Sequence, residues 1–331
     1  MTPTDTTTTT AAVHDRYGGP EVLELRDVEI GAPGEGQVLL EVRAASVNPA
    51  DWHLLTGVPW IARSQSGLRA KPGRRVGTDV AGVVLATGPG VTAFSAGDEV
   101  FGGASGALGG RVLAKVTSLT PKPAALSWEE AGAVCVAGIT ALQALRDKGR
   151  LQPAGRVLVN GAAGGVGSFA VQIAKAMGAT VTGVCGPANV EFVRGLGADA
   201  VVDYTKEDFT TRGEQYDVIV DNQGNHSARA LKRVLVPGGV EVVIGGKKTG
   251  KLLGPLSTLI RLKVGFLVGG RHAAPFMAST NAADLAVLAE MMAAGSVRPA
   301  VTRTFPLTAV AEAFTELAGG HARGLVDRGA G

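Results

Sequence analysis

The sequence predicts an α/β protein that combines a small β domain with a doubly wound domain built on a parallel sheet. Its 331 residues are 45% hydrophobic and 18% charged, which provides enough apolar material for two buried cores. Short strands and turn residues fill the first third of the chain, whereas strands alternate with helical segments after residue 155. Such alternation is typical of βαβ units, whose right-handed crossovers cover both faces of the sheet with helices.

The amino-terminal part, up to about residue 119, is predicted to form the β domain. Residues 1–12 have neither a basic start nor an apolar core, and we expect a disordered leader there rather than a signal peptide. Further along, Val38, Leu40 and Val42 share one face of an alternating run, and the charged residues between them share the other. Strands are predicted at 21–30, 37–47, 80–87, 99–101 and 111–119.

Helical signals begin after residue 123. Ser127 resembles a helix N-cap and Glu130 stands three residues later, as in a capping box, so a long helix or a helix pair is predicted from there to about residue 148. Beyond it, strands are predicted at 156–160, 180–184, 200–203, 217–221 and 240–244, and helices at 166–177, 188–196, 206–212 and 226–236. Residues 247–275 show no clear pattern, and two more helices follow residue 279.

The segment Asn160-Gly-Ala-Ala-Gly-Gly-Val-Gly167 joins the first strand of the alternating part to its first helix. Gly161, Gly164 and Gly167 allow a tight turn, close backbone approach and close contact between helix and strand. The N–H groups of the first helical turn then offer a site for a pyrophosphate, as in a Rossmann dinucleotide-binding unit. Because 48 of the 331 residues are glycine, an ordinary strand-to-helix turn is the alternative interpretation of this motif alone.

The second strand of the alternating part indicates which dinucleotide binds. In NAD-binding units this strand usually ends in an acid that binds the ribose 2′-hydroxyl. No Asp or Glu occurs from residue 161 through residue 190, and an acid would repel a 2′-phosphate, so the sequence favours NADP(H). Asn189, Arg194 and Tyr204 are available as donors for that phosphate. The alternative is a neutral site that accepts both cofactors.

Composition and spacing argue against several other classes. The net charge of +3 comes without a basic block, so no nucleic-acid partner is predicted, and no apolar run has the length of a membrane span. The two cysteines are too few for a disulfide scaffold or a structural zinc site, and we expect a cytoplasmic protein. His53 near Asp51 is the closest approach to a metal-ligand pair, and no Gly-x-Ser-x-Gly motif occurs, so neither a metal site nor a serine hydrolase is predicted.

Eight ordered motifs run through the chain, at 45–52, 77–82, 97–100, 137–141, 160–167, 196–199, 203–204 and 320–324. In order and spacing they resemble the zinc-independent quinone oxidoreductase and enone reductase branch of the medium-chain dehydrogenase/reductase superfamily. The resemblance implies a GroES-like catalytic domain at 13–125 and 270–331, interrupted by a Rossmann NADP-binding domain at 126–269. It also implies a homodimer.

The resemblance further implies roles for individual residues. Similar proteins place an Asn that matches Asn48 near the substrate and the nicotinamide ribose, and a Thr that matches Thr140 near the nicotinamide. The backbone at 222–224 matches a segment that borders the same region. With the donors named above, the residues expected to contact the cofactor are Thr140, Gly161, Gly164, Gly165, Val166, Gly167, Asn189, Arg194, Tyr204, Asn222, Gly224 and Arg323.

Several positions depart from the patterns of relatives. Zinc-dependent members have a Cys ligand where this chain has Asn48, and Gly-His-Glu where it has 77–79, so no metal is implied. Val190 stands where a Lys often binds the 2′-phosphate, and the segment at 111–114 is shortened. The sequence after residue 323 differs from the apolar strand of relatives, which predicts a lost or frayed final strand.

The activity that the resemblance implies is hydride transfer from C4 of NADPH to a quinone or to the β-carbon of an α,β-unsaturated carbonyl compound. Asn48 is a candidate for stabilising the charge that develops on the acceptor oxygen. Tyr17, Asp51 and His53 are candidate proton donors, and the catalytic candidates we retain are Asn48, Asp51 and Tyr17. The alternatives are an NADPH-binding sensor or scaffold with weak or no catalysis, and an enoyl-thioester reductase.

Overall fold

The computed structural model describes residues 6–58, 63, 67, 69–245, 265–266, 270–319 and 325–328. In chain order, the strands are β1 (Thr7–His14), β2 (Glu24–Ile30), β3 (Gln37–Ser46), β4 (Arg74–Arg75), β5 (Asp79–Thr87), β6 (Glu99–Gly103), β7 (Arg111–Lys115), β8 (Leu119–Pro121), β9 (Arg156–Asn160), β10 (Thr180–Cys185), β11 (Ala200–Asp203), β12 (Tyr216–Asp221), β13 (Leu235–Val243), β14 (His272–Pro275), β15 (Arg303–Pro306) and β16 (Leu325–Arg328).

The α-helices in these residues are α1 (Pro49–Thr56), α2 (Trp128–Ala131), α3 (Cys135–Gln143), α4 (Gly165–Ala176), α5 (Val190–Gly195), α6 (Ala228–Val234), α7 (Ala282–Ala293) and α8 (Val310–Ala318). Short 3₁₀ turns and one π-helical turn connect some of them. Within the described ranges, no helix combines the length and the apolar character that a membrane crossing requires.

The chain divides into two compact units. Unit 1 comprises Met1–Val136, Thr280–Ala294 and Pro299–Gly331, and unit 2 comprises Ala137–Ser279 and Gly295–Arg298. The predicted boundaries at 125/126 and 269/270 therefore lie about ten residues too early on both sides. Residues before Ala137 belong with unit 1 because Trp128 packs with Ala44 and Ala133. Residues before Thr280 belong with unit 2 because β14 pairs with β13.

Unit 2 contains the parallel sheet that the alternating pattern predicts. Its strand order is β11-β10-β9-β12-β13-β14, and every neighbouring pair is parallel. The central strands β10, β9 and β12 are buried almost throughout, as expected for a sheet with both faces covered, whereas β14 at the edge has no buried residue. From β9 the chain runs outward to β11 and then returns to β12 on the other side of β9. The topological switch point, where ligands of such sheets bind, therefore lies at the carboxyl ends of β9 and β12.

Unit 1 contains two sheets. One has the order β2-β1-β4, and the other has the order β15-β16-β3-β5-β6-β8, with β7 also paired to β3. The alternation predicted for β3 is present in part: Val38, Leu40 and Val42 are buried in the unit 1 core and Arg43 is exposed, but Leu39 on the opposite face is buried as well. The predicted capping box is also present: Glu130 N–H donates to Ser127 Oγ and Ser127 N–H donates to Glu130 Oε2, which begins α2.

The disordered leader predicted for residues 1–12 is wrong from residue 7 onward. Strand β1 begins at Thr7 and pairs antiparallel with β2, from Thr7 opposite Ile30 to Val13 opposite Glu24. Its last four residues are buried. The run of threonines lacks an apolar signal, but threonine is β-branched and favours extended backbone, so polar composition did not indicate disorder here.

Three further elements differ from the prediction. The helix predicted at 206–212 is only a 3₁₀ turn at Phe209–Thr211. The Asp208 side chain caps its start by accepting from Thr210 N–H, and Gly213, two residues after its end, has φ +78°. Helix α1, which the β-rich pattern of this region did not predict, begins after Asn48 with Pro49 in its first turn. The final strand is present as β16, paired with β15 on one side and with β3 on the other.

Candidate functional site: the glycine turn of unit 2 and the buried polar cluster of unit 1

The glycine turn lies at the switch point, between β9 and α4. Gly161 has φ +84°, a conformation that side chains rarely adopt. A Cβ on Gly167 would lie 2.1 Å from the carbonyl oxygen of Gly161, so only glycine permits the helix to approach the strand this closely. Both glycines are therefore required by the path of the backbone. This is the arrangement that the dinucleotide motif predicts.

The start of α4 is open to a ligand. Gly164 is exposed with extended backbone, and the helical hydrogen bonds begin with Ser168 N–H donating to Gly164 O, at 2.8 Å. The N–H groups of Gly165, Val166 and Gly167 thus belong to the first turn, where no helical carbonyl precedes them. The helix dipole adds roughly half a positive charge at the same point. These groups fit a pyrophosphate. The Ser168 hydroxyl instead donates to Gly165 O, at 2.9 Å, and closes the turn.

Two of the three predicted phosphate donors lie at the loop that follows β10. Asn189 ends a 3₁₀ turn that follows the strand directly. Tyr204, after β11, is 65% exposed, and its hydroxyl would be 3.2 Å from a Cβ on Gly186 in the same loop. The third donor is engaged elsewhere, because Arg194 Nη1 is 2.5 Å from Glu191 Oε1. In this structure Arg194 forms an exposed ion pair, and its role as a phosphate donor stays a prediction.

On the other side of the switch point, Asp221 organises the loop that contains Asn222 and Gly224. Its Oδ1 accepts hydrogen bonds from the N–H groups of Gln223 and Gly224, both at 3.0 Å, and from Asn160 Nδ2, at 2.8 Å. Asn222 Nδ2 donates to Asn160 O, at 3.0 Å. The loop is thus tied to the glycine turn through the last residue of β9. Its backbone is held in one conformation beside the expected nicotinamide region.

Glu241 lies in β13, the strand that pairs with β12, and is the third residue from its end. It has no exposed surface, and among the described residues no donor group reaches its carboxyl oxygens, so its hydrogen-bond contact with the Asp221 carboxylate requires a proton on one of the two groups. The second oxygen of Asp221 also has no donor group there. Burial, and then the nearby Asp221 carboxylate, raise the pKa of Glu241 to about 9. At neutral pH this side chain is a neutral carboxylic acid.

In unit 1, Asn48 and Asp51 come together at the start of α1. Asn48 N–H donates to Asp51 Oδ2, at 2.9 Å, and Thr78 Oγ1 donates to Asp51 Oδ1, at 2.7 Å. Ser46 Oγ donates to Asp79 Oδ2, at 2.8 Å, and Asn48 Nδ2 donates to Ser46 Oγ, at 3.2 Å. We call Ser46, Asn48, Asp51, Thr78 and Asp79 the polar cluster.

Both carboxyl groups of the polar cluster are buried. Burial raises the pKa of Asp51 to about 6, although hydrogen bonds from Thr78 and Asn48 oppose the shift. Burial raises the pKa of Asp79 to about 7, where the Ser46 hydrogen bond opposes the shift and the Asp51 carboxylate adds to it. A cleft of about 370 Å³ in unit 1 is bordered by Asp51, Leu54, Thr78 and Thr280. Asp51 is therefore a weak acid at the wall of a cavity.

Comparison with known proteins identifies the family to which the chain belongs. Residues 34–114 match the family described as "Alcohol dehydrogenase GroES-like domain", and residues 196–326 match the family described as "Zinc-binding dehydrogenase". The chloroplast envelope quinone oxidoreductase homolog of Arabidopsis thaliana is 34% identical, over 96% of this chain and 97% of that relative. The mitochondrial NAD(P)H oxidoreductase RTN4IP1 of Mus musculus is 35% identical, over 95% of this chain and 87% of the relative.

A solved structure, that of the quinone oxidoreductase from Coxiella burnetii, superimposes with a TM-score of 0.85 at 29% identity, over 97% of this chain and 99% of the other. The chain belongs to the medium-chain dehydrogenase/reductase superfamily. Within the superfamily it falls in the quinone oxidoreductase branch, and it is an oxidoreductase that uses a nicotinamide cofactor.

The remaining predicted site residues of this medium-chain reductase lie in different parts of the fold. Thr140 lies in α3 and is nearly buried, in the same unit as the glycine turn. Arg323 lies outside the described residues. The Tyr17 hydroxyl donates to Gly67 O, at 2.6 Å, and its ring packs at Gly57, which follows the end of α1 that is far from Asn48, so its role as a proton donor stays a prediction. His53 is likewise engaged, with Nδ1 at 2.6 Å from Val58 O.

Sequence reasoning missed Ser46, Asp79, Asp221 and Glu241 as members of the two sites. Asp79 was visible only as part of the 77–79 motif, where zinc-dependent relatives differ. Asp221 and Glu241 each end or interrupt an otherwise apolar strand, and a charge in such a strand is a usable signal. In the part of the chain that the structure describes, no three His, Cys, Asp or Glu side chains converge as metal ligands.

Proposed function

We propose that this oxidoreductase transfers a hydride from NADPH to a quinone or to an α,β-unsaturated carbonyl compound, without a metal ion. The observation that carries the proposal is the Asn48 carboxamide, a neutral hydrogen-bond donor held among buried polar groups. The resemblance assigns this position to a zinc ligand in metal-dependent relatives. Zinc sites in proteins are built from Cys, His and carboxylate ligands, and an amide suits a carbonyl oxygen instead.

In this proposal the residues of unit 2 hold the cofactor. The N–H groups of Gly165, Val166 and Gly167 bind the pyrophosphate, and Asn189 and Tyr204 face the 2′-phosphate. No carboxylate follows β10 before Glu191, which is paired with Arg194. The preference for NADPH over NADH rests on this arrangement. When bound, the nicotinamide supplies the hydride from its C4 position.

The residues of unit 1 act on the acceptor. Asn48 Nδ2 donates a hydrogen bond to the acceptor oxygen, where negative charge develops as the hydride arrives. One well-placed donor of this kind contributes roughly 10²–10³ to kcat in other enzymes. Asp51 holds a proton at low pH and borders the cleft, so we propose it as the proton source, directly or through water. Holding the reacting carbons about 3–3.5 Å apart supplies much of the remaining rate enhancement.

The test is cofactor oxidation, followed at the NAD(P)H absorbance, with 1,4-benzoquinone, 9,10-phenanthrenequinone and a small enone. We expect turnover with NADPH and slower turnover with NADH. No oxidation of either cofactor with any acceptor would overturn the reductase proposal. If calorimetry then showed NADPH binding without turnover, the sensor or scaffold alternative would stand. Turnover of acyl thioesters but not quinones would identify an enoyl-thioester reductase.

The proposal includes two further properties, the absence of zinc and a homodimeric assembly. Metal analysis of the purified protein is expected to find no stoichiometric zinc. We also propose a homodimer, for which β14 offers a free strand edge at the end of the unit 2 sheet in the described residues. Light scattering after size-exclusion chromatography distinguishes dimer from monomer.

A further inference from the structure

The polar cluster contains a directed chain of hydrogen bonds from Asn48 to Asp79. Asn48 Nδ2 donates to Ser46 Oγ, at 3.2 Å, and Ser46 Oγ donates to Asp79 Oδ2, at 2.8 Å. Asp79 Oδ1 accepts from the N–H of Val136, at 2.9 Å. The three side chains are 8%, 3% and 0% exposed, respectively. Water therefore has little access with which to substitute for any of these contacts.

The chemistry of the three groups sets the direction of this chain. Above its pKa of about 7 the Asp79 carboxyl is ionised and is only an acceptor, so at pH 8, where the test below is run, the Ser46 proton is committed to Asp79. The remaining capacity of the Ser46 oxygen is to accept, and it can accept only from the amide N–H side of Asn48. A flipped carboxamide would place two acceptors, Asn48 Oδ1 and Ser46 Oγ, against each other in a buried site. That arrangement costs the desolvation of both groups.

We propose that Asp79 and Ser46 are positioning residues that fix the carboxamide of Asn48 with its N–H₂ group, rather than its oxygen, available to the reaction. This inference rests on the proposed role of Asn48 as the donor to the acceptor oxygen. One amide hydrogen of Asn48 is bonded to Ser46 Oγ, and the second is left to form the hydrogen bond to the oxygen of the hydride acceptor. As N-cap of α1 the Asn48 side chain also accepts from the backbone N–H of Asp51, which favours the same orientation, and the hydrogen bond to Ser46 fixes the opposite, N–H₂, side of the carboxamide.

The chain of hydrogen bonds from Asn48 also explains why a carboxyl group is buried at position 79. A buried carboxylate is costly, and burial raises the pKa of this one. Its two oxygens are satisfied by Ser46 and by the Val136 backbone, both of which are donors. A structural role alone requires only that the carboxyl be satisfied. The extension of the network to Asn48 gives it a function in orienting a second group.

The test is a double-mutant cycle on kcat for 9,10-phenanthrenequinone at pH 8 and saturating NADPH, with Ser46→Ala, Asn48→Ala and the double variant. Ser46→Ala is expected to lower kcat about tenfold, with the KM for NADPH changed less than twofold. The double variant should be no worse than Asn48→Ala within about twofold, because Ser46 acts through Asn48. Ser46→Thr, which keeps the hydroxyl, should restore kcat to within about threefold of wild type.

Thr120→Val is the matched control, since it removes another buried hydroxyl of unit 1 that lies outside the polar cluster. Its kcat should stay at the wild-type value. Asp79→Asn provides a second variant of unchanged size if Ser46→Ala does not fold. Its amide can donate to Ser46, which removes the commitment of the Ser46 proton, and its effect should also be absent in the Asn48→Ala background.

Additive losses in the cycle would overturn the inference, as would wild-type kcat in Ser46→Ala together with a large loss in Asn48→Ala. In either case the donor role of Asn48 would survive. If Asn48→Ala itself keeps the wild-type kcat, the proposed catalytic role of Asn48 fails and the positioning inference fails with it. The two failures are thus distinguished by the Asn48 single variant.

Discussion

Among single residues, Glu241 is a carboxyl group in the interior of a parallel sheet, with Ile219 of β12 on one side and Ala273 of β14 on the other. The carboxylate next to it is that of Asp221, which accepts three hydrogen bonds at Oδ1 and, among the described residues, none at Oδ2. A protonated Glu241 supplies the donor that the second oxygen lacks. The proton on Glu241 is therefore part of the folded structure.

The first prediction concerns Glu241→Gln. The pKa of Glu241 is raised from 4.5 to about 9, so between these values the folded protein holds a proton that the unfolded chain has lost, and stability falls as pH rises. Glutamine keeps a donor for Asp221 and does not titrate. The melting temperature of the variant relative to wild type is expected to increase from pH 5 to pH 8, with a ceiling of about 1.4 kcal/mol per pH unit.

Melting curves of both proteins at several pH values give the difference directly, and the titrations of Asp51 and Asp79 cancel because both proteins contain them. Glu241→Leu is the control: it does not titrate either, but it leaves Asp221 Oδ2 without a donor and should melt below the glutamine variant. An identical pH dependence in wild type and Glu241→Gln would contradict the assignment of a buried proton to this residue.

The second prediction concerns cofactor choice at Asn189. Asn189→Asp introduces a carboxylate at the end of β10, where NAD-dependent units have their acid and where none occurs here. We expect kcat/KM for NADPH to fall at least tenfold and kcat/KM for NADH to stay the same or rise, because the new charge repels a 2′-phosphate. Asn189→Ser, without a charge, should lower NADPH efficiency far less. Equal effects of Asp on the two cofactors would remove the basis for the NADPH proposal.

At the scale of elements, β1 shows how much of unit 1 depends on a strand with little apolar character. Besides its partners β2 and β4, its backbone bonds to the loop before β7: Ala12 N–H donates to Leu108 O, at 2.9 Å, and Gly110 N–H donates to Thr10 O, at 3.0 Å. The strand therefore ties the small sheet to residues that precede a strand of the large one. A segment with these contacts is part of the core.

The third prediction tests this directly with Ala12→Pro. Proline removes the N–H that bonds Leu108 and cannot continue a paired strand interior, so the melting temperature should drop by several degrees, about 2–4 °C for each kcal/mol lost. A leader without structure would tolerate the change. Thr8→Ala is the control, because Thr8 is exposed and keeps its backbone donor. A melting temperature unchanged by Ala12→Pro would contradict the pairing of β1.

Local patterns predicted those elements whose residues carry their own signal. The alternation of β3, the capping box of α2 and the glycines of the α4 turn each act within a few residues, and each is present, the β3 alternation in part. Helix α1 is short and lies in a β-rich region, and its start depends on Asn48, Pro49 and Asp51 rather than on an apolar face. The 3₁₀ turn at Phe209–Thr211 has a cap but too few residues to continue before Gly213.

At the scale of the whole molecule, the residues of each candidate site are distant in sequence. Ser46 and Asp79 are 33 positions apart, and Asn160 and Asp221 are 61 apart, yet each pair is hydrogen-bonded. Sequence spacing contains no signal for such pairs, because sheet order decides which strands are neighbours. The glycine turn and Asn48 were predicted from motifs, whereas the buried carboxyl groups of Asp79 and Glu241 were recognised as parts of the two sites only in the fold.

Strand β16 lies between β15 and β3, and it pairs with residues 44–46 at the end of β3, whereas residues 37–41 of β3 pair with β7. All of unit 2 is synthesised between β3 and β16. On the ribosome, unit 2 can therefore fold while the end of β3 still lacks β16 and unit 1 is incomplete. During that interval residues 44–46 of β3 lack their β16 partner, and an unpaired strand edge is the kind of surface on which chains aggregate. The yield of this protein in recombinant expression is therefore expected to depend on translation rate and chaperone supply as well as on equilibrium stability.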